Sequence, residues 1–360
     1  MSAKSKSKSS KSRDPYYAVS PQWKDVTPIP LIDGPPGQKD PGPALATIAY
    51  SPRYSEAMSY LRAVMAINEM SRRALELTED IIGMNPAHYT VWLYRAKILK
   101  SLWEAEGRGF EEGVMLELDW LDGISERTLK NYQIWHHRQH LLSLLPSLPP
   151  SEPEFLTHIL SFDSKNYHVW TYRAWLCRQF PDPLLNTDME LNAIDTLLAE
   201  DVRNNSAWNH RYFVVFGAEE LRLMESESQG GGNGNRKDLL ASGNLVVDED
   251  IVEREINYAK HRIAWAPQNP SPWNYLKGVA KRAGIPLTDF KVYCETFVGG
   301  RAADLVGDQV RSSHAIDWLA EIYRMDGNLE RSRACLRALG DKWDPIRRKY
   351  WEYRARQMDE

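Results

Sequence analysis

Apolar positions recur along the chain at helical spacing, and tryptophan marks each recurrence. Trp92, Trp135, Trp170 and Trp208 are each followed three residues later by an arginine: Arg95, Arg138, Arg173 and Arg211. Trp351 repeats the pair with Arg354, whereas Trp273 keeps an Asn-Tyr pair behind it but has Leu276 at the arginine position. The first intervals are 43, 35 and 38 residues, and Trp318 falls between Trp273 and Trp351 as a degenerate copy. Periods of this length belong to helical-pair arrays or propeller blades, and the strand alternation that blades need is missing.

Each tryptophan lies on a helical stripe. Tyr89, Trp92, Ala96 and Leu99 occupy i, i+3, i+7 and i+10, and Tyr167, Trp170, Ala174 and Cys177 repeat the pattern. Tyr132, Trp135 and Leu142 follow it too. Seven positions before the tryptophans stand Asn85, Thr128, Asp163, Asp201 and Asp344, residues that favour a helix N-cap, and Pro86 and Pro345 follow two of them. Ala266 and Arg311 break that rule before Trp273 and Trp318. A second amphipathic segment precedes each tryptophan helix, as at 154–162, 189–200 and 252–265. A single hairpin cannot bury its apolar face, so neighbours must stack. The expected class is all-α: an α-α superhelix, a solenoid of antiparallel hairpins with tryptophan as the knob between them. The arginine is expected to bridge carbonyls and carboxylates near the next turn.

Composition narrows the function. The 360 residues are 42% hydrophobic and 26% charged, with net charge −4, which supports a large core and argues against nucleic acid as the main partner. No apolar run reaches the ~20 residues of a membrane span. Cys177, Cys294 and Cys335 are too few and scattered for a disulfide framework and read as reduced thiols, so the expected location is cytoplasmic. Residues 1–13 alternate Ser and Lys without an apolar core. The expected organisation is a disordered basic tail and a Pro/Gly-rich extended arm over 1–45, then a helical-repeat solenoid over 46–360. A flexible Gly-rich insertion interrupts it at about 226–244, and no Gly-Lys-Ser/Thr ending makes that insertion a phosphate loop.

The stretches Lys130-Asn131-Tyr132-Gln133-Ile134-Trp135-His136-His137-Arg138, Lys165-Asn166-Tyr167-His168-Val169-Trp170 and Asp201 to Asn209 are repeats of one unit. Together with Ile48-Ala49-Tyr50-Ser51, they resemble the repeats of protein prenyltransferase α subunits. The Lys-Asn-Tyr-Gln wording is similar to the form shared by farnesyltransferase and type I geranylgeranyltransferase, and less so to the Rab-type enzyme. The resemblance covers most of the chain, from about Ile48 to Arg354. It implies a crescent of hairpins wrapped around a β subunit that holds the catalytic zinc and most of the isoprenoid pocket. The zinc-bound Cys thiolate of a C-terminal Cys-a-a-X protein then attacks C1 of farnesyl or geranylgeranyl diphosphate, with magnesium assisting diphosphate departure.

By that resemblance Lys130 contacts the departing diphosphate and Tyr167 lies near it, with Asn166 and His168 alongside. Gln133 meets the carboxylate end of the peptide. Preorganised donors aimed at growing negative charge lower a barrier more than they stabilise the ground state. Tyr132 shares the repeat position of Tyr167 and is expected to pack. This chain itself is expected to hold no metal. His136 and His140 stand at i, i+4 but lack a third ligand at sensible spacing, and no Cys lies near a His in a nucleophile motif. Two other readings stand beside this one: a Rab-type geranylgeranyltransferase α subunit, acting on double-Cys tails with an escort protein, and a non-catalytic solenoid scaffold.

Overall fold

The computed structural model describes residues 16–31, 46, 48–107, 109–180, 188–217, 248–299, 305 and 307–358. The tail at 1–13, most of the Pro/Gly-rich stretch and the Gly-rich insertion fall outside the described residues. Among those described there are fifteen α-helices and no strand. They form two compact units, residues 1–172 and 173–360.

The first unit contains α1 (Pro52–Ala66), α2 (Arg72–Met84), α3 (Tyr89–Ala105), α4 (Phe110–Ser125), α5 (Tyr132–Leu142), α6 (Ser151–Phe162) and the start of α7 (Tyr167–Gln179). The second contains the rest of α7, then α8 (Glu190–Glu200), α9 (Asn205–Tyr212), α10 (Glu249–Trp265), α11 (Pro270–Arg282), α12 (Lys291–Glu295), α13 (Ser313–Met325), α14 (Leu329–Ala338) and α15 (Arg348–Arg356). Consecutive helices pair as expected: α2 with α3, α4 with α5, α8 with α9, and α10 with α11. Trp318 is buried on α13, which packs against both the short α12 and α14. At Gly113 in α4, a Cβ would stand 2.4 Å from the indole of Trp103 on α3, so only glycine allows that approach.

The tryptophan is a knob with a second task. Trp92, Trp135, Trp170, Trp208 and Trp273 are all buried. Each donates its indole N–H to the carbonyl six residues back, at Pro86, Leu129, Ser164, Val202 and Pro267, over 2.8–3.1 Å. The loop before each helix is thereby tied to the core of its own repeat.

The residue seven before the tryptophan is the N-cap that the pattern suggested only at Asp344, which with Pro345 opens the 3-10 turn Pro345–Arg347 ahead of α15. Asn85, Asp163, Asp201 and Ala266 close the preceding helix instead. Their carbonyls accept from the N–H three residues on, at His88, Asn166, Asn204 and Asn269. Alanine at 266 is tolerated because the backbone does this work. The caps stand four before the tryptophan: Asn131 accepts from Gln133 N–H, Asn166 from His168 and Val169, Asn204 from Ser206 and Ala207, and Asn269 from Ser271. Pro86 accordingly lies outside α3. The stripes hold only from the tryptophan onward, since Tyr89, Tyr132 and Tyr167 are the first residues of their helices and are 62, 67 and 69% exposed.

The arginines bridge carboxylates as expected, and these stand on the following hairpin rather than at the next turn. Arg95 makes a bidentate pair with Glu117 (2.6 and 2.8 Å), Arg138 with Glu152 (2.8 and 2.8 Å) and Arg211 with Glu255 (2.7 and 3.0 Å). Arg173 reaches Glu190 at 2.7 Å. Each glutamate lies on the first helix of the following hairpin. That hairpin's tryptophan helix adds a group two positions past its own tryptophan. Tyr172 and Tyr275 donate hydroxyls to Glu152 and Glu255, at 2.7 and 2.6 Å. His137 and His210 face Glu117 and Glu190, at 3.1 and 3.5 Å. The guanidinium lies flat on an aromatic three residues past the glutamate: Arg95 on Trp120, Arg138 on Phe155 and Arg211 on Tyr258, at 3.6–3.7 Å. Arg138 and Arg211 also hold Asp122 and Asp195 of their own hairpins. Leu276 breaks the arginine series after Trp273, and Arg354 instead pairs with Asp317 and Glu321 on α13.

The described part of the arm, residues 16–31, contains one 3-10 turn, Pro21–Trp23, and is pinned to the helices. The Glu56 carboxylate accepts from the N–H groups of Tyr16, Tyr17 and Ala18 at 2.8–3.0 Å. The Tyr17 hydroxyl donates to Asp80, and Tyr17 and Trp23 are buried.

Candidate functional site

Two loop–helix junctions of the first unit gather the predicted residues. One runs from Glu126 to Asn131 into α5 and lines an open depression of about 380 Å³. The other runs from Asp163 to Asn166 into α7. Helix α4 ends at Ser125 and α6 at Phe162, and the loops that follow are held by the carbonyls of Thr128 and Asp163. Both helices start with a tyrosine directly after an asparagine cap, which accepts from free N–H groups of the first turn.

Lys130 is 80% exposed, and its Nζ lies 3.7 Å from Oδ2 of Asp163 in the second junction. That distance and exposure make a loose pair, which a stronger anion displaces at little cost. Tyr167 presents its ring to solvent. His168, half-buried, stands between two tyrosine rings, 4.3 Å from Tyr132 and 5.8 Å from Tyr167, nearly perpendicular to each. Gln133 is half-buried in the first turn of α5, with its backbone N–H held by Asn131. The structure therefore brings Tyr167 and His168 together, adds Tyr132 beside them, and ties Lys130 to the loop that leads into α7 through Asp163. Tyr132 does not pack into the core as its repeat position suggested, because the first residue of the helix points away from the stripe.

Asn166 departs from the role expected of it. It is only 3% exposed, with Oδ1 accepting from His168 and Val169 and Nδ2 donating to the Leu129 carbonyl at 3.2 Å. A side chain so engaged shapes the site rather than lining it.

The inter-repeat glutamates were not singled out from the sequence. Their signal was present in two linked spacings: Glu-x-x-aromatic in the first helix (Glu117/Trp120, Glu152/Phe155, Glu255/Tyr258) and Trp-x-Tyr/His-Arg in the second. Among the described residues, Cys177, Glu190 and His210 bring metal-type ligand atoms within 4.8 Å of one another. The Glu190–His210 contact is this same repeat network, and the Arg173 guanidinium already holds the carboxylate. Burial pushes the His210 pKa down despite Glu190 beside it. For Glu117, burial acts upward, but the His137 hydrogen bond and the Arg95 charge outweigh it and hold the carboxyl below its ordinary range. His136 and His140 are exposed on α5. Burial raises the thiols of Cys294 and Cys335, the latter to about 12, so neither is a ready nucleophile. No described helix is long and apolar enough to cross a membrane.

The protein prenyltransferase alpha subunit repeat matches residues 71–102, 115–145, 149–180 and 187–217, which hold Trp92, Trp135, Trp170 and Trp208 in turn. The farnesyltransferase/geranylgeranyltransferase type-1 subunit alpha of Candida albicans is 34% identical, over 93% of this chain and 97% of that protein. A solved structure of the Candida albicans protein geranylgeranyltransferase-I complexed with GGPP contains a chain that superposes with a TM-score of 0.74. The identity is 34%, covering 93% of this chain and 98% of that one. The bovine geranylgeranyl transferase type-2 subunit alpha is more distant: 28% identical over 60% of this chain and 35% of that protein. Four repeat matches on the observed hairpins, and near full-length similarity to such subunits, place this chain in the protein prenyltransferase alpha subunit family.

Proposed function

We propose that this chain is the α subunit of a heterodimeric protein prenyltransferase of the farnesyl/type I geranylgeranyl kind. The observation that carries this reading is the pair of adjacent helix starts built on the Lys-Asn-Tyr-Gln and Lys-Asn-Tyr-His sequences, where Lys130 reaches Asp163 from one loop to the other and His168 meets Tyr132 and Tyr167. The substrates are farnesyl or geranylgeranyl diphosphate and proteins ending in Cys-a-a-X. The cysteine sulfur bonds to C1 of the isoprenoid, the C1–O bond breaks, and diphosphate leaves with the electron pair. Zinc, which the β subunit would hold, would stabilise the substrate cysteine as its thiolate, and magnesium would offset charge on the diphosphate.

Lys130 meets the charge that grows on the departing diphosphate, exchanging its loose contact with Asp163 for a much stronger one. The hydroxyl of Tyr167 donates to the same group, and His168 keeps the two tyrosine rings apart. Gln133 offers its amide to the peptide carboxylate. The exposed rings of Tyr89, Tyr132 and Tyr167 belong to the surface covered by the β subunit, which is why the chain is active only as a heterodimer. Buried free thiols at Cys177, Cys294 and Cys335 suit the reducing cytoplasm.

The test is coexpression with candidate β subunits, followed by transfer of labelled farnesyl or geranylgeranyl to Cys-a-a-X peptides. Lys130→Ala is expected to pair normally and to lower kcat by up to about 10²–10³-fold, less where β-subunit cations share the load. Loss of pairing makes Lys130 structural. Unchanged turnover favours a scaffold. Transfer only to double-Cys tails in the presence of an escort protein favours the Rab-type reading.

A further inference from the structure

Two hydrogen bonds converge on a single carbonyl beside Lys130. The oxygen of Leu129 accepts from Trp135 Nε1 at 3.1 Å and from Asn166 Nδ2 at 3.2 Å. The first donor belongs to the same repeat and the second to the next. Through Oδ1, Asn166 also caps the helix that starts with Tyr167 and His168. Its own N–H closes the second loop onto the Asp163 carbonyl at 3.1 Å, and Asp163 is the residue facing Lys130. One buried amide thus links the peptide unit preceding Lys130 to the start of α7.

The second unit contains the same link without the same neighbours. The Val202 carbonyl accepts from Trp208 Nε1 at 2.9 Å and Asn269 Nδ2 at 2.7 Å, and Asn269 caps α11. The residue after the carbonyl is Arg203, and the helix starts with Pro270. At a third junction a serine replaces the asparagine: Ser312 Oγ donates to the Pro267 carbonyl at 2.6 Å, beside Trp273 Nε1 at 2.9 Å. The device is therefore a general way of joining repeats, and at Leu129 it lies next to the charged group.

We propose that Asn166 is a positioning residue for prenyl transfer: its amide fixes the Leu129 carbonyl and so sets Lys130 in register with Tyr167 and His168. This rests on the α-subunit reading above. Misplacing a preorganised cation by a fraction of an ångström weakens its hold on transition-state charge more than its hold on the ground state. The effect belongs in kcat, not in substrate affinity.

The experiment compares Asn166→Asp with Asn269→Asp in the assembled heterodimer. Aspartate keeps the capping oxygen but turns a second oxygen, in place of a donor, toward the carbonyl. Both variants are expected to lose thermal stability to a similar degree. Only Asn166→Asp is expected to lower kcat, by about tenfold or more, with KM for isoprenoid diphosphate and for peptide changing less than about threefold. Asn166→Ser, which restores a hydroxyl donor in the manner of Ser312, recovers most of the lost kcat. Should Asn166→Asp fail to assemble, Asn166→Ala against Asn166→Ser makes the same comparison of donor lost and donor kept. Equal kcat in the 166 and 269 variants overturns the proposal, and so does a raised KM with unchanged kcat, which marks a ligand contact. If Lys130→Ala is slow while Asn166→Asp behaves like Asn269→Asp, the positioning role fails and the α-subunit reading stands. If Lys130→Ala is also unimpaired, that reading falls first.

Discussion

Helix α7 carries two tyrosines with opposite fates. Tyr167 opens the helix, largely exposed, while Tyr172, five residues on, is fully buried and donates to Glu152. The two cations nearby divide in the same way. Arg138 is clamped by Glu152 and Asp122 and lies on Phe155, whereas Lys130 stands in solvent with one distant carboxylate. Residue type does not separate architecture from chemistry here; position along the helix does. Two and three positions past the tryptophan, polar side chains turn inward onto buried glutamates and must be fully paired. In the first turn and the loop before it, Tyr167 and Lys130 face outward and stay exposed. Buried pairing makes a polar side chain structural, and exposure beside a rigid loop makes it available.

The largest effect that tests this division is Glu152→Ala. It leaves the Arg138 guanidinium and the Tyr172 hydroxyl buried beside a void. The expected loss is about 3–5 kcal/mol, read from chemical denaturation of the heterodimer and checked by a fall in Tm. Glu255→Ala tests the same geometry in the second unit, where Arg211 and Tyr275 are left behind. Tyr167→Phe removes a hydroxyl of similar type from the rim, and stability stays within about 0.5 kcal/mol. A loss near 1 kcal/mol for Glu152→Ala erases the distinction between interior and rim.

Acidification gives a smaller effect, spread over several groups. The carboxyls of Glu117, Glu190 and Glu255 are held below their ordinary value of 4.5, because burial, which acts upward, is outweighed by arginine and His or Tyr partners. Their contribution is present above pH 4.5 and is lost as pH falls through the lower folded values. Burial also depresses His210, below its ordinary 6.5. The unfolded chain therefore binds that proton first, and stability starts to fall as pH drops through about 6.5. Asp122 acts the other way, because burial raises its pKa above 3.8 despite Arg138, so its protonation in the folded state offsets part of the loss. Tm measured from pH 8 to 4 is expected to decline in two stages. Burial depresses His140 and His314 in the same way, so His210→Gln, which keeps a donor facing Glu190, is expected to shrink the first stage and leave the second unchanged. A single-stage decline in the natural protein rules out His210 as the early sensor.

The hairpin array was legible in the sequence because its signal is redundant: five buried tryptophans at one repeat position, each on a helical stripe. Most helix starts were misplaced because asparagine or aspartate stands at minus seven (Asn85, Asp163, Asp201) and asparagine at minus four (Asn131, Asn166, Asn204, Asn269), and both are good turn formers. Only the backbone shows that the first ends one helix and the second begins another. The glutamate partners were hidden for a different reason. Glu117, Glu152 and Glu255 read as polar residues of solvated faces, and burying a carboxylate is costly unless a cation from another repeat meets it. That cation lies 14 to 44 residues away, at a separation that changes from pair to pair. At the site, Lys130 and Tyr167 came from the wording of the motif. Tyr132 was misjudged because a shared repeat position suggested a shared packing role. The link from Asn166 to Leu129 spans 37 residues and has no local pattern at all.

The smallest expected effect separates two asparagines at one repeat position. Asn131 and Asn166 both cap a tryptophan helix, but Asn131 is half-buried and accepts from Gln133 N–H at 2.8 Å, whereas Asn166 also donates across to Leu129. Asn131→Ala removes one capping bond at a partly wet helix end, and the expected loss is about 1 kcal/mol. Asn131→Ser or Asn131→Asp retains the cap and is expected to be near neutral, because the known cap bond needs only an oxygen. The asymmetry is the informative part. If position 131 requires an oxygen and position 166 requires an oxygen and a donor, Asn→Asp is silent at the first and costly at the second. Denaturation curves of the two aspartate variants settle that directly, and equal losses at both positions dissolve the distinction between a cap and a link.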